Sequence, residues 1–164
     1  MELSIAGQNM SGTALQWAFA ELGNDATMYA DLRREILDMF GDEDQQAVRP
    51  MTWEHLKNCN LLQAIIAETL RLHPVVPTIA RTALRDTVLP IGGGANGQNP
   101  IAVPEGATFN CNLYLMQRRV EEWGDDACEW KPRRWTGRKA GPEYAPFSAG
   151  PRNCVGKYAA VFAS

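Results

Sequence analysis

The pattern of apolar residues changes at Pro77, and this change constrains the fold more than any other feature of the sequence. Before Pro77, apolar residues recur at helical spacing, whereas after it short runs of β-branched and aromatic residues are separated by Pro and Gly. The first pattern is typical of packed helices and the second of small antiparallel strands. We therefore expect a mainly α protein with a small antiparallel β-sheet, forming one domain or part of one.

Four helices are predicted before Pro77. The last of them is the most apolar, and it must stop near Pro74 because proline cannot continue a helix. The first helix is expected over 3–22. The second is capped within 24–26 and runs to Phe40, and the third is capped by Thr52 and contains Trp53 and Leu56. The fourth is expected over 60–73.

The second part of the chain is predicted to be short strands followed by irregular structure. We expect strands at 78–83, 87–89, 101–103 and 108–110 within a small sheet over 77–111, a helix over 112–120, an ordered meander over 121–146, and a last helix over 157–163.

Charge and cysteine usage exclude several classes of protein. The net charge is −3, so nothing indicates a nucleic-acid partner. None of the four cysteines forms a Cys-x-x-Cys pair, which argues against structural zinc and for reduced thiols. No apolar run is long enough to span a bilayer, and we expect no membrane anchor or signal sequence in this chain.

The most distinctive segment is the Cys loop, residues 147–156, which reads Phe-Ser-Ala-Gly-Pro-Arg-Asn-Cys-Val-Gly. Gly150 and Gly156 let the backbone turn sharply and approach a flat ligand closely. Cys154 precedes a predicted helix, whose free amides favour a thiolate. Arg152 presents a rigid fork suited to a carboxylate. A lone cysteine is more often an inert buried thiol, but the spacing around Cys154 argues against that.

This segment resembles the heme-binding loop of the cytochrome P450 family, the heme-thiolate monooxygenases. The resemblance implies heme b as cofactor, with Cys154 as the axial thiolate ligand of the iron. It also implies that Phe147, Gly150, Arg152 and Gly156 bind the cofactor. In such a site the sulfur pushes electron density through the iron and favours O–O cleavage.

A second match to the family is Glu68-Thr-Leu-Arg71 on the fourth predicted helix. Taken alone, two charges three residues apart predict an ordinary surface ion pair. In the P450 family this pair locks to an arginine of a later Pro-x-Arg-Trp segment, and Pro132–Trp135 supplies Arg134. The resemblance therefore implies that Glu68, Arg71 and Arg134 are structural residues that hold the Cys loop.

Two further positions are compared with the family. Arg81 lies on the first predicted strand, where relatives often carry an arginine that binds a heme propionate; a solvated strand charge is an equal alternative. Gln117 occupies the place where many relatives carry a histidine, which is a modest departure from the pattern.

Residues 6–11, Ala-Gly-Gln-Asn-Met-Ser, are similar to the family's oxygen-activation motif. In that motif an acid and an alcohol relay protons beside a local break in the helix. Here Asn9 replaces the acid and Met10 replaces the alcohol, and neither side chain can relay a proton. Ser11 keeps a hydroxyl, but about 100° further round the helix. We expect slow or poorly coupled turnover unless water or Ser11 substitutes.

A glycine run at 92–97 spells the dinucleotide-binding pattern Gly-x-Gly-x-x-Gly. Pro100 and a strand-like run follow it where a nucleotide site requires a helix, so we expect a hairpin loop instead. With its flanks, the run is similar to a segment of fungal monooxygenases that hydroxylate alkanes and fatty acids. That similarity implies a long apolar substrate held mainly by burial.

The resemblance as a whole implies the C-terminal part of an incomplete P450 fold. Such an enzyme inserts one atom of O2 into a C–H bond of a lipophilic substrate, with electrons from NADPH delivered by a reductase. The full-length protein would reside at the endoplasmic reticulum membrane through an anchor absent from this chain. The implied parts are an oxygen-groove helix over 1–23, the Glu-x-x-Arg helix over 60–73, the sheet over 77–111, the meander over 121–146, and the Cys loop with a truncated helix over 147–164.

The sequence leaves three alternatives open. The chain is either such a monooxygenase, a non-catalytic truncated remnant of one, or a heme-binding or sensor protein. A basic stretch over 131–139 either docks an acidic reductase or is a solvated loop.

Overall fold

The computed structural model describes residues 2–41 and 51–157, with side chains from Asn9 onward. The chain is mainly α with a small amount of antiparallel β structure, which confirms the predicted class. The helices are α1 (Glu2–Asn24), α2 (Ala26–Phe40), α3 (Trp53–Asn58), α4 (Asn60–Leu72), α5 (Leu113–Met116) and α6 (Val120–Trp123). The strands are β1 (Thr78–Thr82), β2 (Thr87–Gly93), β3 (Asn99–Val103) and β4 (Thr108–Asn112), and 3-10 turns lie at Pro132–Trp135 and Gly150–Arg152.

The predicted helix caps are present. Asp25 accepts a hydrogen bond from the Met28 amide at 2.8 Å and begins α2. Gly41, with φ of 88°, ends it. The hydroxyl of Thr52 accepts from the His55 amide at 3.3 Å and begins α3. These local signals therefore mark both ends of α2 and the start of α3.

The helices α1, α2 and α4 share one apolar core. Its buried members are Leu22, Met28, Leu32 and Ile65, with Trp130 of the later meander packed against them. Among the described residues, no helix is both long and apolar enough to cross a lipid bilayer.

The strands form two separate two-stranded sheets, which corrects the prediction of one small sheet. β1 pairs antiparallel with β4 from Thr78–Asn112 to Thr82–Thr108, while β2 pairs with β3. The β2–β3 hairpin is thus nested between two strands that pair with each other. The glycine run is the end of this hairpin, as predicted, because Gly92, Gly94 and Gly97 all have positive φ.

The predicted helix over 112–120 is wrong in extent. α5 stops at Met116, and α6 begins separately at Val120. The interruption lies at Arg119, whose backbone is extended with ψ of 126°. The helix predicted over 157–163 lies, apart from Lys157, outside the described residues.

Candidate functional site

The Cys loop folds back on itself. The Cys154 amide donates to the Phe147 carbonyl at 2.9 Å, and the Asn153 amide donates to the Gly150 carbonyl at 3.1 Å. The loop can fold back because its backbone has a positive φ at two positions, 61° at Ser148 and 75° at Gly150. Cys154 is exposed, so its thiol is not buried as the alternative of an inert buried thiol requires.

Arg81 reaches the Cys loop from β1. One of its guanidinium nitrogens donates to the Ser148 hydroxyl at 3.5 Å, and the other donates to the Ala80 carbonyl at 2.8 Å. The side chain is half-buried rather than fully solvated. The structure thus brings Arg81 to the loop that carries Cys154, while Arg152 is exposed on the loop itself.

Glu68 lies at the centre of a buried network of hydrogen bonds. Its side chain is 0% exposed and accepts two hydrogen bonds from Arg71, at 2.9 and 2.8 Å. It also accepts from Arg134 Nε at 2.8 Å. The Lys131 amide and the Trp135 indole each donate at 2.9 Å. The surface ion pair that the spacing alone predicts is therefore wrong, because both partners are buried.

Arg71 connects this carboxylate to three backbone segments. Its guanidinium donates to the carbonyls of Gln117 at 2.8 Å, Ala127 at 2.6 Å and Glu129 at 3.1 Å. The Trp123 ring lies 4.8 Å from the guanidinium carbon. One arginine of α4 thus fixes the end of α5 and the start of the meander relative to each other.

Arg134 completes the network from the 3-10 turn at Pro132–Trp135. Besides Glu68, it bonds to the Asp126 carboxylate at 3.0 Å and to the Asp126 carbonyl at 3.0 Å. The structure therefore brings Glu68, Arg71 and Arg134 together as the resemblance implies. Trp135 of the same Pro-Arg-Arg-Trp segment adds a hydrogen bond that the sequence pattern does not indicate.

The network sets the protonation state of Glu68. Burial alone would raise the pKa of this carboxyl, but the hydrogen bonds from Arg71, the Lys131 amide and Arg134 outweigh it and hold the pKa below its ordinary value. Close by, burial raises the pKa of Tyr144, whose ring packs against Trp135 at 4.7 Å. The Glu68 carboxyl is therefore ionised at neutral pH, and the Tyr144 phenol keeps its proton.

The sequence pattern assigns no role to Gln117. Gln117 is 0% exposed, and its side chain bonds to the end of α4 and to the Ala145 amide. Its only signal in the sequence is an uncharged residue in place of the histidine of relatives. Burial of that position is a property of the fold and cannot be read from the local pattern.

Residues 9–11 lie apart from this network. Asn9 and Met10 are exposed and Ser11 is half-buried, and in the described part of the chain no hydrogen bond or ion pair joins them to the Cys loop. The helix break implied by the resemblance is absent, since α1 is continuous from Glu2 to Asn24. The Thr13 hydroxyl donates to the Asn9 carbonyl one turn earlier, a contact that a regular helix allows.

The basic stretch over 131–139 is largely neutralised within the chain. Four of its five cations form ion pairs, whereas Lys139 is exposed. The pairs join Lys131 to Asp126 and Glu129, Arg133 to Asp31, Arg134 to Glu68 and Asp126, and Arg138 to Glu143. The free positive charge of this surface is smaller than its composition indicates.

Comparison with known proteins matches this chain to one family. The family model for cytochrome P450 matches residues 1–162. The chain is 42% identical to cytochrome P450 monooxygenase g430 of a Fusarium species, over 98% of this chain and 28% of that protein. It is 43% identical to cytochrome P450 monooxygenase milC of Cordyceps militaris, over 100% and 31%. It is 40% identical to cytochrome P450 52A6 of Candida tropicalis, over 98% and 31%. The chain thus spans less than a third of the length of these relatives.

Proposed function

Because the chain belongs to the cytochrome P450 family, we propose that the protein is a heme-dependent monooxygenase that inserts one atom of O2 into a C–H bond of a lipophilic substrate. Electrons come from NADPH through a reductase. The observation that carries the proposal is the exposed thiol of Cys154 on a closed loop. Since the chain spans less than a third of its relatives' length, the activity, substrate and partner are proposed for the whole protein.

The residues of the Cys loop fit a heme. The loop offers a single exposed thiol, and no group of three or more His, Cys, Asp or Glu side chains in the described ranges forms a cage for a bare metal ion. A Cβ added to Gly150 would meet no atom within 4 Å, so the backbone there is open to a flat ligand. Arg81 and Arg152 supply guanidinium groups of the kind that bind carboxylates such as heme propionates.

When bound, heme supplies an iron centre that activates dioxygen. The residues of this chain bind and orient that group. Cys154 would hold the iron through its sulfur, as the deprotonated thiolate. Arg81 and Arg152 would bind the propionates, and Phe147, Gly150 and Gly156 would contact the porphyrin ring. The buried anion of Glu68, with Arg71 and Arg134, holds the meander that leads into the loop.

The substrate class proposed is a long apolar chain, such as an alkane or a fatty acid. The β2–β3 hairpin supports this, because its sequence is similar to a segment of fungal alkane and fatty-acid hydroxylases. The full-length protein is proposed to reside at the endoplasmic reticulum membrane.

Spectroscopy of the full natural protein that contains this chain tests the proposal. We expect the reduced carbon-monoxide complex to show the red-shifted Soret band of thiolate ligation, and Cys154→Ser to abolish it. Cys128→Ser, which removes another exposed thiol, is the matched control and should keep the band. An unchanged band in Cys154→Ser would show that this sulfur is not the iron ligand.

A second function, heme binding without turnover, is favoured by one observation. Asn9 and Met10 replace the two groups that deliver protons in the family motif. A thiolate band in the wild-type protein without NADPH-dependent oxidation of a fatty acid would favour a sensor, whereas absence of any heme band would favour a non-catalytic remnant.

A further inference from the structure

Gln117 has every polar atom of its side chain in use, although it is neither charged nor part of the proposed heme site. We propose that Gln117 is a positioning residue for the Cys loop. Its amide ties the end of α4 to the backbone that enters the loop. The inference rests on the proposed function in one respect, that the loop holds the ligand of a heme.

The first half of the tie is at the C-terminus of α4. The last carbonyls of a helix have no partner within it and must find donors elsewhere. Gln117 Nε2 donates to two of these carbonyls, to Leu70 at 3.2 Å and to Arg71 at 3.0 Å. In return, the Arg71 guanidinium donates to the Gln117 carbonyl at 2.8 Å. Both the side-chain amide and the backbone carbonyl of Gln117 are therefore bonded to the helix that carries Glu68.

The second half of the tie leads into the Cys loop. The Ala145 amide donates to Gln117 Oε1 at 3.0 Å. The Ala145 carbonyl accepts from the Ser148 amide at 3.0 Å, and the Phe147 carbonyl accepts from the Cys154 amide at 2.9 Å. A continuous series of hydrogen bonds therefore runs from α4 through Gln117 and Ala145 to Cys154.

The chemistry of the position requires two donors and one acceptor pointing in different directions. A glutamine amide supplies both kinds of group at once. A neutral imidazole supplies one donor and one acceptor, and a methionine supplies neither at useful strength. Glutamine is therefore the side chain that satisfies all three backbone groups in a site with no access to water, where an unpaired group is costly.

The experiment compares Gln117→Met and Gln117→His with Met28→Ala in the heme-loaded, full natural protein. Met28 is buried in the core of α1, α2 and α4, so Met28→Ala destabilises the protein without touching the tie. The two readouts are hydrogen exchange of the Ala145 and Cys154 amides, and the fraction of the reduced carbon-monoxide complex with the thiolate band. Each variant is measured at the same number of degrees below its own melting temperature. Faster amide exchange that is confined to the Cys loop then indicates a positioning role of Gln117 and not a general loss of stability.

We expect Gln117→Met to speed exchange of the Ala145 amide by about tenfold, the effect of losing one hydrogen bond, and to lower the thiolate fraction. Gln117→His keeps one donor and one acceptor, so both readouts should lie between Gln117→Met and the wild type. Met28→Ala should leave both at the wild-type value. Should Gln117→Met fail to fold, the comparison of Gln117→His with Met28→Ala decides the question.

The inference is overturned if the Gln117 variants exchange at Ala145 and Cys154 no faster than Met28→Ala. It is equally overturned if exchange speeds up while the thiolate fraction stays at the wild-type value. A wild-type protein with no thiolate band defeats the proposed function instead, and the exchange measurement still shows whether Gln117 holds the loop.

Discussion

Glu68 shows how one residue can be buried as an anion. A carboxylate removed from water is costly unless nearly all of its hydrogen-bonding capacity is used by charged or strongly polar donors. Here two arginines, one indole and one backbone amide surround both oxygens. Removing Glu68 would leave the buried Arg71 without its counter-charge.

Glu68→Gln should therefore be strongly destabilising. The substitution keeps the shape of the side chain but leaves Arg71 fully buried without its counter-charge, and we expect a loss of about 3–5 kcal/mol in the free energy of unfolding. Urea unfolding followed by tryptophan fluorescence measures it. Arg133→Gln, which breaks the exposed pair with Asp31, is the control and should cost less than about 1 kcal/mol. Equal losses in the two variants would contradict a special role for the buried pair.

The oxygen-activation motif offers a second prediction at the scale of the residue. In the full natural protein, Asn9→Asp combined with Met10→Thr restores an acid and an alcohol, and we expect product formed per NADPH consumed to rise on the order of tenfold. Gln16→Asp places an acid elsewhere on the exposed surface of α1 and should give no gain. If the double variant performs no better than Gln16→Asp, proton delivery does not limit this protein.

At the scale of the element, α4 depends on other elements at both of its ends. Its first amides have no side-chain cap of their own, and Glu35 of α2 accepts from the Leu61 amide at 2.9 Å and the Leu62 amide at 3.1 Å. The negative charge of this carboxylate also interacts favourably with the partial positive charge at the N-terminus of the helix. At the other end Gln117 receives the free carbonyls. The helix that carries Glu68 and Arg71 is therefore held in place rather than merely packed.

Cys59, between α3 and α4, provides a pH-dependent test of this packing. Its thiol is 0% exposed, 3.2 Å from Met39 Sδ, and burial together with the charge of Glu35 raises its pKa above the ordinary value of 9.0. The unfolded chain then loses this proton first. The contribution to stability is complete below pH 9.0 and is lost as the pH rises through the folded value.

We expect the free energy of unfolding to fall more steeply above about pH 9 in the wild type than in Cys59→Ala, by up to about 1.4 kcal/mol per pH unit. Urea titrations with a reductant present measure both curves. Cys111→Ala removes an exposed thiol and controls for the loss of a cysteine as such. The prediction fails if the two variants change the pH dependence equally.

At the scale of the whole molecule, charge is distributed in internal pairs. The net charge is −3, and the cations of residues 131–139 are mostly bound to acids of the same chain. An exposed, unpaired charge contributes more to long-range attraction than one that is already neutralised. If this surface meets an acidic reductase, the attraction comes mainly from Lys139, which is exposed.

Lys139→Glu should therefore slow reduction of the heme by an NADPH-dependent reductase about two- to fivefold at low ionic strength, with no difference at high salt. Stopped-flow absorbance of the full natural protein measures the rate. Lys57→Glu makes the same change of charge on α3 and should leave the rate unaltered. If both variants are slowed alike, the effect reflects net charge and not docking beside the Cys loop.

Local signals in the sequence were enough to predict much of the fold. Asp25 and Thr52 begin helices, Gly41 and Pro74 limit them, and the glycines near 92–97 form a hairpin, because each of these effects acts within a few residues. The separation of the strands into two sheets, and the early end of α5, depend on contacts between distant segments. Local patterns carry no information about those contacts.

The sequence by itself determined the family and the chemistry that Cys154 can offer, because the order of residues in the Cys loop specifies both a sharp turn and a thiol. Only the tertiary structure decided that Glu68 and Arg71 are buried, that Arg81 reaches Ser148, and that Gln117 joins α4 to Ala145. The physical reason is that the energy of a charge or an amide depends on what surrounds it. Those surroundings come from segments dozens of residues away, brought together only by folding.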